Sequence, residues 1–140
     1  MANFVYADIY VSGTVEELKK FIAKYFEKNE DDRYYTFDFN KIMPIPKNVE
    51  DPDKWMVENW WTTGNPEEVY VDNIENNWLH VSFKTRWAFP VPVYLRLVED
   101  NPELTFVIGA NEETGDFIIK AVDKKIEECY RNEFIEMYVD

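Results

Sequence analysis

From Phe4 to Ser12 the chain alternates strictly, with Val5, Ala7, Ile9 and Val11 on one side and Phe4, Tyr6, Asp8, Tyr10 and Ser12 on the other. A two-residue period sends successive side chains to opposite faces of a strand, so the odd face is expected in the core. Gly13 breaks the strand, and Thr14-Val15-Glu16-Glu17 has the capping-box spacing. There the hydroxyl serves one orphaned N–H of a helix start while Glu17 reaches back to another. Leu18, Phe21, Ile22, Tyr25 and Phe26 then fall at helical spacing opposite Lys19, Lys20, Lys24 and Lys28, which predicts an amphipathic helix.

After the polar turn Asn29–Asp32, Phe37 and Phe39 alternate with Asp38 in a short extended segment. Pro44 and Pro46 hold their predecessors out of the helical region and lead into a loop. Residues 44–67 read as an irregular acidic insertion with room for one short helix. Glu68–Glu75 and Trp78–Trp87 form a predicted antiparallel hairpin turning at Asn76-Asn77, residues that tolerate the positive φ of a tight turn. In its second arm Leu79, Val81, Phe83 and Thr85 should face the core, with His80, Ser82, Lys84 and Arg86 toward solvent. Pro90 and Pro92 open a second helix carrying Val91, Tyr94, Leu95 and Val98, which stops before Asn101-Pro102. Leu104, Phe106 and Ile108 resume strand alternation, and Asp116–Val122 predicts one more strand. From Asp123, a possible N-cap, Ile126, Tyr130, Phe134 and Tyr138 recur four apart, which predicts a terminal amphipathic helix.

The order strand, helix, strand, strand, helix, strand is that of a split βαβ, or ferredoxin-like, unit. The expected fold is therefore α+β, a mostly antiparallel sheet with helices on one face and the other face partly open. A strand and a helix over about 116–140 extend it. At 140 residues the chain is expected to form a single domain over 1–140.

Aromatic residues make up 17% of the chain, far more than a disordered acidic chain carries, and they supply the buried area of a folded core. The net charge of −13 repels phosphate backbones and anionic lipid, arguing against direct nucleic-acid or membrane binding and for a basic protein partner. The charge is uneven: residues 47–76 carry 2 basic and 8 acidic groups, whereas 77–110 carry 3 of each. One cysteine, Cys129, permits no internal disulfide. The opening MANFVYADIYVSG has no basic, apolar leader pattern, and no apolar run approaches the roughly 20 residues of a membrane span, so a cytoplasmic protein is expected.

Four stretches occur in a suggestive order: YVSGTVEE, FDFNKIMPIP, ENWWTTGN before the hairpin, and VSFKTRWAFPVP before the second helix. Together they resemble the YubB ferredoxin-like family of plasmid- and phage-encoded proteins. That family's pattern includes a FDFNKI-x-P-x-P run, an ENWGTK-like stretch and a strand ending in T-x-W-x-P-P. Trp61 stands where the family usually has Gly, and Phe89-Pro90-Val91-Pro92 spaces out the usual adjacent prolines. The resemblance implies a fold and a mobile-element setting but no established activity. "Ferredoxin" is a fold term here, since an iron–sulfur cluster needs several thiolates.

The chemistry-bearing residues are few. His80 is the sole histidine, placed by the alternation on a solvent face and expected to be an ordinary surface residue. Cys129 sits in EECYR, whose carboxylates raise a thiol pKa instead of activating it. The clusters at Glu30–Asp32, Glu50–Asp53 and Glu112–Asp116 lack calcium-loop spacing. No catalytic residue, cofactor or metal ligand is therefore expected. Two surfaces stand out as binding candidates. One is the acidic aromatic segment with Asp51, Asp53, Trp55, Glu58, Trp60, Trp61, Glu67 and Glu68, where rings beside carboxylates suit an Arg or Lys of a partner. The other is the open sheet face near Tyr6, Tyr10 and His80, where a small molecule or nucleotide could lie. The leading expectation is a non-catalytic acidic module that occupies a basic surface of another protein. The neutral stretch 78–108 is expected to be scaffold.

Overall fold

The computed structural model describes residues 3–72, 74–115 and 117–130. Eight strands, β1 (Phe4–Ser12), β2 (Phe26–Lys28), β3 (Tyr35–Phe37), β4 (Glu67–Val71), β5 (Trp78–Arg86), β6 (Thr105–Glu112), β7 (Phe117–Val122) and β8 (Lys125–Tyr130), form one antiparallel sheet. Its strand order is β2-β3-β4-β5-β1-β6-β7-β8. Among the described residues, three α-helices, α1 (Val15–Tyr25), α2 (Pro52–Asn59) and α3 (Val91–Asp100), join the sheet in an α+β architecture.

β1 lies at the centre because it is bonded on both sides, in continuous register with β5 from Phe4↔Arg86 to Ser12↔Trp78 and with β6 from Val5↔Glu112 to Ser12↔Thr105. The odd residues of β1 are buried together with Leu79, Val81 and Phe83 of β5 and Phe106, Ile108 and Ala110 of β6. Leu18, Phe21 and Tyr25 of α1 and Val93, Tyr94, Leu97 and Val98 of α3 cover this face. Phe106 marks their junction, edge-on to both Phe21 and Tyr94. The start of α1 is held by the expected capping box: Glu17 N donates to Thr14 Oγ1 and Thr14 N donates to Glu17 Oε1. Gly13 precedes it, where a Cβ would sit 2.5 Å from Leu104 Cδ2 and would require that side chain to shift.

The chain departs from its sequence pattern at Phe26 and after Asp123, while the acidic insertion takes up the short helix it had room for. The helical stripe ends one residue early, and Phe26 begins β2, stacking on Phe37 of β3 at 4.3 Å between centroids. The acidic insertion contains α2, started by the Asp51 carboxylate accepting from Lys54 N with Pro52 in the first turn. The terminal helix expected from Asp123 is not formed over the described residues, which make the β7–β8 hairpin instead. A spacing of four fits a strand's two-residue period as well as a helix's, so Ile126 and Tyr130 could not discriminate. Asp123 occupies the hairpin turn at φ +50, its N–H donating to Phe106 O and its carboxylate accepting from Phe106 N. Phe134 and Tyr138 lie outside the described residues.

Candidate functional site: the open face of the sheet

The even residues of β1 point away from the helices, and the register decides what stands beside them. Tyr10 is opposite His80 and Val107, Asp8 opposite Ser82 and Gly109, and Tyr6 opposite Lys84 and Asn111. On the next strand Tyr70 is opposite Ser82. Tyr6, Tyr10, Tyr70 and Trp78 are all exposed, Tyr6 and Tyr10 at 43%. Four large rings on one face that no described helix covers form a surface unlike the single scattered apolar groups of an ordinary exterior.

At its centre His80 is held on three sides. Its Nδ1 lies 2.7 Å from Asp72 Oδ2 and its Nε2 2.7 Å from Asp8 Oδ1, while its ring stacks on Tyr10 at 4.6 Å and an interplanar angle of 12°. A neutral imidazole has one N–H, whereas two ionised carboxylates can only accept; both bonds form together when the ring is imidazolium. Partial burial opposes that charge and is the largest single influence. The hydrogen bonds and charges of Asp8 and Asp72 outweigh it, and the His80 pKa lies above its ordinary value. The residue expected to be an ordinary surface histidine is thus the organising group of the face.

Two shallow clefts flank the Tyr10–His80 stack. One, of about 500 Å³, is lined by Tyr10, Asp72, Glu75, Asn76, Trp78, Leu79 and His80. The other, of about 510 Å³, runs over Val107, Gly109 and Ala121 toward Lys120, Lys125 and Glu127. Tyr10 belongs to both. Gly109 has nothing within 4 Å of where a Cβ would be, so the second cleft has a flat floor beside Asp8. Among the described residues no group of three or more His, Cys, Asp or Glu side chains is placed to hold a metal ion.

The acidic segment is a different kind of place. Trp60, a docking candidate from sequence, is 1% exposed: its ring packs edge-on to Phe39 and Trp55, and its Nε1 donates to Met43 O at 3.0 Å. It is a core anchor and cannot touch a partner. Trp55 is half-buried against the core, and Asp51 is engaged as a helix cap. Trp61, Asp53 and Glu58 are exposed. Glu67 and Glu68 leave the segment to join the sheet, pairing with Arg86 (3.2 Å) and Lys84 (3.5 Å). Lys84 also lies over the Phe4 ring at 4.3 Å. The eight candidates of the segment therefore do not form one surface, whereas Tyr6, Tyr10 and His80 do share the open face.

Sequence reasoning missed Asp8, Asp72, Tyr70, Trp78 and Glu75. No helix of the described residues is long and apolar enough to cross a membrane. Comparison with family models, curated proteins and solved structures finds no match to this chain.

Proposed function

We propose that the protein is a non-catalytic binding module whose open sheet face docks an arginine- or lysine-bearing segment of a basic protein. The observation that carries this reading is the grouping of four exposed rings, Tyr6, Tyr10, Tyr70 and Trp78, with Asp8, Asp72 and Glu75 on a face that no described helix covers. Rings supply rigid contact area and cation–π attraction, and carboxylates supply charge complementarity to a basic partner, in keeping with the net charge of −13. The non-catalytic part is supported by His80, whose two ring nitrogens are both held by carboxylates. Direct nucleic-acid binding is disfavoured by the same net charge. An inhibitor occupying the basic surface of a nucleic-acid-binding protein fits this chemistry.

The inner four strands, in the order β4-β5-β1-β6 with crossovers through α1 and α3, support reading the centre as a ferredoxin-like split βαβ unit. Trp61 adopts φ +70, a conformation glycine adopts freely, at the position where the YubB family usually carries Gly. That supports the resemblance to this family, and with it a cytoplasmic protein of a mobile element.

Titrating the isotope-labelled protein with a lysine- and arginine-rich peptide tests the docking reading. Shift changes should concentrate at Tyr6, Tyr10, Tyr70 and Trp78 and weaken at high salt. Changes confined to the helical side, or none, overturn it. A second reading, a small-molecule or nucleotide site, is favoured by the apolar-floored cleft beside Lys120 and Lys125. Reproducible thermal stabilisation by a metabolite, lost in Lys125→Ala, would support it, and a flat screen counts against it.

A further inference from the structure

The cleft between Tyr10 and Trp78 has a chemistry of its own. On β1 and β5, Tyr10 pairs with His80 and Ser12 with Trp78, so Tyr10 and Trp78 are diagonal neighbours on the same face. Diagonal neighbours stand roughly 7–8 Å apart. Both residues line one cleft of about 500 Å³ together with His80, whose ring stacks on Tyr10. Asp72 and Glu75 close the same cleft, and Asn76 and Leu79 complete its lining. The Glu75–Trp78 turn is pinned by reciprocal backbone bonds of 3.0 and 2.8 Å, and Asn77 O accepts from Gly13 N at 3.1 Å, so the wall carrying Trp78 is anchored to the end of β1. Two rings with two carboxylates at their edge form the arrangement that recognises an organic cation.

We propose that this cleft is a cage for a single guanidinium or alkylammonium head, and that an arginine side chain seated between Tyr10 and Trp78 shares the Asp72 carboxylate with His80. The inference rests on the docking reading above and names its anchor point. The charged and titratable groups facing His80 are Asp8, Tyr10 and Tyr6 from β1, Tyr70 and Asp72 from β4 and its end, Glu75 from the turn, Lys84 along β5 and Lys120 across β6. A second cation entering this group lowers the affinity of His80 for its proton, so seating an arginine shifts the imidazole titration downward.

The chain has one histidine, so its imidazole NMR signal needs no assignment and reports the site directly. The probe is a tetra-arginine peptide, added to the full chain while the His80 titration and tryptophan fluorescence are followed. Binding should quench fluorescence and lower the His80 midpoint. Trp78→Ala should weaken affinity tenfold or more, Glu75→Gln severalfold, and Trp61→Ala, on an exposed loop, not at all. A free-protein circular dichroism spectrum identical to wild type shows that the Trp78 variant folds. Peptide that still perturbs the open face yet binds Trp78→Ala and Glu75→Gln as tightly as wild type, or leaves the His80 midpoint unmoved, overturns the cage while the docking reading stands. Absence of binding to wild type overturns both.

Discussion

The two faces of the sheet are built from the same strands, residue by residue in alternation, and they obey different rules. On the covered face Val5, Val11, Leu79 and Phe106 are fully buried, and each is interchangeable in kind: an apolar group of the right volume. On the open face Asp8, Tyr10 and His80 are specific in kind, and their meaning lies in what stands across the strand gap. Burial is a property of one position, whereas a site is a property of register. A strand can therefore announce its core from local sequence and keep its chemistry hidden.

The largest effect that separates the faces is packing. Phe106→Ala removes a fully buried ring from between α1 and α3 and should cost about 3–5 kcal/mol by urea denaturation. Tyr6→Ala, one strand away on the open face, should stay within about 0.5 kcal/mol. Comparable losses would break the distinction and mean that the open face is covered by part of the chain.

The acidic segment offers a second cut, because it contains both structural and exposed acids. Asp51→Ala should destabilise by about 1 kcal/mol through loss of the α2 cap, while Asp51→Asn, which caps as well, should be nearly neutral. Equal losses would show that the charge of Asp51, not its hydrogen bond, is what the fold uses. Trp61 follows with a change of opposite sign. A left-handed residue with a Cβ costs about 1–2 kcal/mol, and glycine's extra chain entropy offsets about 0.5–1 of that. Trp61→Gly should therefore stabilise by about 0.5–1 kcal/mol in thermal or urea unfolding, since the ring is 48% exposed and gives up little packing. A loss would identify Trp61 as a packed group whose contacts outweigh its strain.

The covered face was legible because a two-residue period needs no knowledge of partners. β1, both main helices, the Thr14 capping box and the Asn76-Asn77 turn follow from local pattern alone. Of the site, Tyr6, Tyr10 and His80 were legible as members of one open face, but the groups that meet them were not, for reasons of register. Asp8 and His80 are 72 residues apart and meet only because β1 inserts beside β5. Asp72 illustrates it at short range: an uninterrupted hairpin about Asn76-Asn77 sets position 73 opposite His80. In the fold Glu75 pairs with Trp78 but Val71 with Val81, one extra residue on the first arm, and Asp72 arrives at the imidazole. The segment with Trp55 and Trp60 misled in the other direction, because acidity and proline suggested a surface while the short α2 turned Trp60 into the core. Net neutrality of residues 78–108 likewise concealed that Trp78 belongs to the open face beside His80.

The smallest expected effect is also the most specific to that face. Folded His80 holds its proton more tightly than an unfolded histidine, whose pKa is near 6.5. Below that value both states are protonated, and the imidazolium bonds to Asp8 and Asp72 stabilise the fold in full. As pH rises through the folded-state pKa the ring gives up its proton, one of the two bonds is lost, and the contribution disappears. The wild type should thus exceed His80→Gln in stability by most near about pH 6 and by least near about pH 9, a difference that added salt shrinks because the group is partly exposed. The covered face has no counterpart, so Ile9→Val should cost the same at both pH values. A wild-type advantage over His80→Gln that grew with pH would mean that His80 is held as a neutral ring, its folded-state pKa below the unfolded value.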